Sequence, residues 1–240
     1  DDGTSGGEVE TLVTDYQMLL EEGSKLGLTI NAAKCEIITD DVEVVQKLKA
    51  IVPAIKHIST ASAMPLGAAI GGDHSVDEVL EAKLQELRRL ADRVSLLNAH
   101  DALFLLKNCF SIPKLSYTLR TSPCYTHQLL AEYDAIIQST LESIMNVTLS
   151  GDAWEQSTLP VANGGIGVRR ATDVALPAYL SSVTGSHALV IQLLPQALHE
   201  VAGINESNVT AAVIEWQVRT GVTSVQQPLP TAQIVWDAPL

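Results

Sequence analysis

The sequence predicts an α+β fold that is predominantly α. Aromatic residues make up only 4% of a chain that is 46% hydrophobic, so its core has to be built from Leu, Val, Ile and Ala. That composition leans towards helix packing rather than towards sheets that draw on aromatic strands. Short β-like runs occur before residue 75, whereas from Ser75 onward apolar residues recur at helical spacing almost throughout. A length of 240 residues suffices for one large domain or two small ones.

Taken in order, Ser5-Gly6-Gly7-Glu8 has the form of a capping box. Val9, Leu12, Val13, Tyr16, Leu19, Leu20 and Gly23 come next at helical spacing, and Gly27 closes the helix. Cys35–Thr39 reads as a short strand. Asp40 and Asp41 can cap a second helix that ends before Pro53. Met64–Ile70 reads as another strand, broken by Gly67 and ended by Gly71-Gly72. Val76, Leu80, Leu87, Leu90, Val94 and Leu97 then form one apolar stripe. A helix over Ala99–Phe110 stops before Pro113. Ser122-Pro123 is an N-cap with Pro at the first helical position, opening a long helix through Met145. Asn163-Gly164-Gly165-Ile166-Gly167 is a glycine-rich break. Helices recur over Ala178–Thr184, His187–Val201 and Asn205–Thr220, and the last twenty residues read as irregular. No internal repeat at a fixed period is present.

The net charge is −13, which speaks against a free-standing nucleic-acid binder. The acidity is uneven. Residues 1–75 carry 12 acids and 5 bases, residues 76–150 carry 9 and 7, and residues 151–240 carry 7 and 3. Phosphate contacts are therefore expected in the middle third. Cys35, Cys109 and Cys124 form no CxxC pair and read as idle thiols of a reducing compartment. Asn-x-Ser/Thr sequons at Asn146, Asn205 and Asn208 occur without a visible leader and are taken as chance. No apolar run reaches the ~18 residues of a membrane span, so no membrane is expected among the partners. His57, His74, His100, His127, His187 and His199 fall into no metal-ligand spacing, and no Gly-x-Ser-x-Gly anchors a hydrolase triad. All six read as structural or surface histidines.

Asp1-Asp2-Gly3 is the first candidate for chemistry. Adjacent carboxylates in a tight turn can hold divalent metal ions against a nucleoside triphosphate, and two Mg²⁺ ions there stabilise the attacking and the leaving oxygen. As a tripeptide it is more commonly a solvated turn. Its weight comes from the segment after the first helix: Leu26-Gly27-Leu28-Thr29-Ile30-Asn31-Ala32-Ala33-Lys34-Cys35.

The order Asp-Asp, amphipathic helix, then Gly-Leu-x-x-Asn-x-x-Lys-Cys resembles the reverse transcriptase family. Pro65-Leu66-Gly67 sits where that family has its primer-grip hairpin. Leu159-Pro160-Val161-Ala162-Asn163-Gly164-Gly165-Ile166-Gly167-Val168-Arg169 is similar to the Pro…Gly-Gly-Leu-Gly-Ile-Arg segment of non-LTR retrotransposon polymerases. The resemblance implies a remnant of a polymerase palm over 1–75, a helical thumb over 76–150 and a helical extension over 151–240. It makes Asp1 and Asp2 metal-binding catalytic carboxylates, with Mg²⁺ as cofactor. Lys34 becomes a catalytic general acid towards pyrophosphate, and Leu66 and Gly67 the primer grip, where glycine lets the backbone come close to the primer. Lys83, Arg88, Arg89 and Arg93 become candidates for tracking a nucleic-acid backbone. Glu81, Glu86 and Asp92 on the same helix make a solvated, ion-paired face an equal reading.

The family's first catalytic Asp, its fingers and its template-binding cations would all precede residue 1. The resemblance therefore makes the chain a fragment of an RNA-directed DNA polymerase, with RNA template and DNA primer as partners of the intact parent, inactive alone. The alternative is a non-catalytic helical scaffold or interaction protein derived from such an element. The family geometry further implies that Asp1, Asp2, Lys34 and Leu66-Gly67 border one concavity. The first helix should back it with Leu12, Tyr16 and Leu19 inward, and the Cys35–Thr39 strand should be left without a partner.

Overall fold

The computed structural model describes residues 3–69, 72–196, 204–225 and 228–240. It is 67% helix and 3% strand, so the predominantly α class holds. The chain divides into two compact units, Asp1–Met64 and Pro65–Leu240.

The first unit begins with helix α1, Val9–Lys25. Glu8 stands at its N-cap without a side-chain hydrogen bond, so the capping box is not made. Its end is as expected: Gly27 takes φ +78°, Gly27 N donates to Ser24 O, and Leu28 N donates to Gly23 O. Strand β1, Glu36–Ile38, leads into α2, Val42–Ile51, whose N-cap Asp41 accepts from Glu43 N and Val44 N. Strand β2, Lys56–Ile58, returns parallel to β1 in the register Glu36↔Lys56, Ile37↔His57 and Ile38↔Ile58. The Cys35–Thr39 run is thus a strand, but it has a partner that the sequence did not announce. Lys56-His57-Ile58 is too short to show alternation. Its β conformation comes from the β1–α2–β2 crossover.

Helix α1 departs from expectation in burial. None of its residues is buried, and Leu19 is 55% exposed. The small core of this unit is instead Ile37, Leu48, Val52 and Ala63.

The second unit is a helical bundle. Helix α3, Asp73–Val94, buries Val76, Leu80, Leu84, Leu87 and Val94. Leu97 falls beyond its end and stays exposed. Helix α4, Ala99–Leu105, runs into a single π turn, Leu106–Phe110, and α5 covers Ile112–Thr121 with Pro113 in its first turn. Helix α6, Leu129–Met145, packs on α3, and Leu130, Tyr133, Ile137 and Leu141 share one core with the α3 stripe. The helix does not open at Ser122-Pro123. The Ser122 hydroxyl is spent on Ala69 O, and the chain turns before Leu129.

Helix α7 spans Gly151–Thr158, and α8 runs unbroken over Ala171–Leu193, through Pro177 and Gly185. The two shorter helices expected in this region are therefore one as far as Leu193, where the helix ends short of the expected Val201; Leu194 at its C-cap is extended, and residues 197–201 lie outside the described residues. Helix α8 is long and apolar enough to cross a membrane by length and composition, against the reading that no run approaches such a span. Of its most apolar stretch 44% is buried within the structure, and Val174–Ser181 is a continuous buried run.

Helix α9, Ile204–Thr220, and the short α10, Gln233–Asp237, pack on α8. Of the last twenty residues, Gln233–Asp237 are helical where irregular chain was expected, and the other described ones lie outside helix and strand. Trp236 is buried edge-on against Trp216 with ring centroids 5.2 Å apart, and Arg169 forks onto both carboxylate oxygens of Asp237 at 2.9 and 2.7 Å. Two aromatics and a bidentate ion pair thereby outweigh the Pro- and Gln-rich composition.

Leu87 is 2% exposed at the α3–α6 seam. Leu87→Asp places a carboxylate there without a partner and should cost roughly several kcal/mol. The urea midpoint should fall accordingly, and an unchanged midpoint would show that the seam is not core.

Candidate functional site

The Gly27–Lys34 segment folds by local chemistry. After the left-handed Gly27, the Asn31 side chain accepts from Ala33 N at 3.2 Å and caps a 3-10 turn, Ala32–Lys34. Cys35 N closes it on Ala32 O at 3.2 Å. Gly27 and Asn31 therefore have backbone duties. Lys34 N donates to Asn31 O at 2.9 Å, but the Lys34 side chain is exposed and forms no hydrogen bond or ion pair among the described residues.

Pro65-Leu66-Gly67 forms a 3-10 turn rather than a strand of a hairpin. Leu66 takes φ 52°, ψ 25° and Gly67 takes φ 77°. Two consecutive left-handed residues after a proline, which has no N–H, cannot run a ladder. For leucine the conformation costs about 1–2 kcal/mol. It is held from α5, where the Tyr117 hydroxyl donates to Leu66 O at 2.8 Å. The Leu66 side chain is 79% exposed.

Asp1 and Asp2, the Mg²⁺ ligands that the resemblance assigns, lie outside the described residues, as do Ile70 and Gly71. Lys34 belongs to the first unit and Leu66-Gly67 to the second. Among the described residues no three His, Cys, Asp or Glu side chains are grouped as metal ligands.

The α3 cations divide into two pairs. Lys83 lies 3.5 Å from Glu86, and Arg88 pairs with Glu132 on α6. Glu86 also takes Lys114 at 2.9 Å, and this hydrogen bond, stronger than the opposing desolvation, holds its carboxyl below the usual range. Arg89 donates to Gln85 O within its own helix. Arg89 and Arg93 are exposed and have no acidic partner among the described residues.

The glycine-rich segment is bound from within. Ile166 N, Gly167 N and Val168 N all converge on Ser157 O at 3.1, 3.1 and 3.3 Å. Converging amides of this kind otherwise make an anion cradle, but here a carbonyl of α7 fills it. Lys107, on the π turn, donates to Ile166 O at 2.9 Å. A Cβ on Gly165 would lie 2.0 Å from Leu159 O and 2.6 Å from Gln156 O, whereas one on Gly164 meets nothing within 4 Å.

The residues just after this segment are held by a group that was not foreseen. Asp134 on α6, 7% exposed, accepts from Ala171 N, from Thr172 N at 3.1 Å and from the Thr172 hydroxyl at 2.7 Å. Burial pushes its carboxyl up, against the lowering pull of Thr172 and the two amides. A carboxylate between Tyr133 and the Ile136-Ile137 pair of an apolar helix was the available sequence signal. Tyr117 and Lys107 carried none, because their partners are carbonyls 51 and 59 residues away.

Compared with protein-family models, curated proteins and solved structures, the chain finds no match in any of the three.

Gly165→Ala and Gly164→Ala separate steric need from backbone preference. Gly165→Ala forces backbone apart and should cost more than about 2 kcal/mol. Gly164→Ala, at φ +82° with open space around it, should cost about 1 kcal/mol. Thermal denaturation of the two variants gives the order, and equal losses would contradict the close contact at Gly165.

Proposed function

We propose that the chain is part of a retrotransposon RNA-directed DNA polymerase of the non-LTR type. Residues 1–75 would be the last part of its palm, 76–150 its thumb and 151–240 an extension. In the intact parent, RNA template and DNA primer are the partners. Asp1 and Asp2 bind Mg²⁺, which stabilises charge in nucleotidyl transfer. Lys34 donates a proton to departing pyrophosphate. Leu66-Gly67 presents backbone to the primer, and Arg89 and Arg93 are the α3 cations best placed to meet phosphate.

The observation that carries this reading is the division of labour in the Gly27–Lys34 motif. Gly27 and Asn31 set the backbone, and Lys34 ends the turn exposed and without a structural partner for its side chain among the described residues. A side chain that the fold does not use is available for chemistry.

A second reading is a non-catalytic helical scaffold or interaction protein. It is favoured by the ion pairing of Lys83 and Arg88 with acids of the same bundle and by the net charge of −13.

The 240-residue chain alone should give no primer extension on an RNA template with Mg²⁺ or Mn²⁺ above an Asp1→Ala, Asp2→Ala control. Extension that depends on those residues would mean that the chain holds a complete catalytic centre. The transcript decides between the readings. Its frame should continue upstream of Asp1 into a strand bearing a further Asp, and the lengthened protein should copy RNA and lose at least ~100-fold activity in Lys34→Ala. A frame without that strand would leave the scaffold reading.

A further inference from the structure

The second unit contains a cavity of about 640 Å³ between the start of α3, the end of α5, the loop before α6, and α8. Tyr179 of α8 borders it. That residue is 94% buried, from an exposure of 6%, and its hydroxyl has no hydrogen-bond partner among the described residues. Yet no fully buried side-chain N or O among the described residues lacks a partner. The Tyr179 oxygen must therefore retain an opening, and the cavity it lines supplies one. A ligand accepting or donating a hydrogen bond there would give this phenol the partner that the protein does not. Burial pushes this phenol up, so it stays neutral and can do either.

The lining selects the charge of the ligand. Among the described residues no Lys or Arg borders the cavity. Asp73, at the first position of α3, contributes a carboxylate that forms no ion pair among the described residues. Thr121, the last residue of α5, brings the negative end of that helix. Thr126, Gln128 and Asn208 add neutral groups that can accept as well as donate. His127 is already committed: Nε2 faces Asp77 Oδ1 at 2.7 Å, and Nδ1 accepts from Leu129 N. Cys124, pushed by burial up to about 11, remains a thiol and offers no thiolate to a metal. An anion would meet no basic side chain among the described lining residues, and the amino end of α3 is already answered by the charge of Asp73.

We propose that this cavity binds a small organic ammonium ion, such as an aliphatic diamine, with Asp73 as its counter-ion and the Tyr179 hydroxyl as a hydrogen-bond partner. An ammonium group presents donors only, which matches an oxygen-lined, acid-bearing cavity without basic side chains. The chain's net charge of −13 raises the local concentration of such a cation.

The test is calorimetric titration of the full chain with 1,4-diaminobutane, with 1,4-butanediol and inorganic phosphate as neutral and anionic probes of comparable or smaller size. The diamine should bind saturably, more weakly as salt rises, and the diol and phosphate should not. Asp73→Asn, exposed and therefore tolerated by the fold, should weaken diamine binding at least ~10-fold. Tyr179→Phe removes a single oxygen and should weaken it ~3-fold or more with the melting temperature preserved. Absence of saturable binding, equal binding of the diol, competition by phosphate, or unchanged affinity in Asp73→Asn would each overturn the proposal.

Discussion

The second unit depends on one buried carboxylate. Asp134 reaches from α6 to the first two amides of α8, on residues 37 and 38 positions later in the chain. Those amides belong to the unpaired first turn that every helix carries, and here Ala171 is buried and Thr172 half-buried. A charged acceptor satisfies two of them and the Thr172 hydroxyl together, each charge-assisted bond contributing about 1.5–3 kcal/mol. The desolvation of the carboxylate opposes this, and it is the larger influence on its proton affinity. The contact thus fixes where α8 begins more than it adds net stability. With α8 fixed, α5, α9 and α10 acquire the surface on which they pack.

The glycine-rich segment is the other half of that constraint. It carries the chain from α7 to the start of α8 so closely that a Cβ on Gly165 would lie 2.0 Å from Leu159 O. Its amides close on Ser157 O, and Lys107 binds Ile166 O from the π turn. A π turn adds a residue to the helix and re-aims the side chains beside it, and Lys107 lies within it. Composition alone would suggest a phosphate loop. The hydrogen bonds make it a splice between helices, with its donors already used.

The polar residues of the chain accordingly fall into two groups. Asp134, Arg169, Arg88 and Lys107 hold elements together and are occupied by doing so. Lys34, Arg89 and Arg93 face solvent without an acidic partner among the described residues. The second group is where recognition of another molecule finds charge available. Two of its members, Arg89 and Arg93, come after Lys83 and Arg88 on α3, a helix with more acids than bases, so one helix carries both kinds of cation: Arg88 is tied to α6, and the exposed cations follow it.

What the sequence determined by itself is what depends on neighbours a few residues apart. The stop of α1 at Gly27, the cap of α2 at Asp41, the α3 stripe and the predominantly helical class were all legible, because a helix writes its periodicity and its ends into adjacent residues. The Lys34 turn was marked by Asn31 for the same reason. Tertiary structure alone decided the rest. It paired β1 with a three-residue β2, turned Pro65–Gly67 away from a strand, fused two apparent helices into α8, left α1 uncovered and folded the tail onto α8 through Trp236 and Asp237. Several of these outcomes are set by a partner tens of residues distant, such as Tyr117 for Leu66 or Arg169 for Asp237. A hydrogen bond to a remote carbonyl or carboxylate leaves no period and no spacing in the chain that makes it.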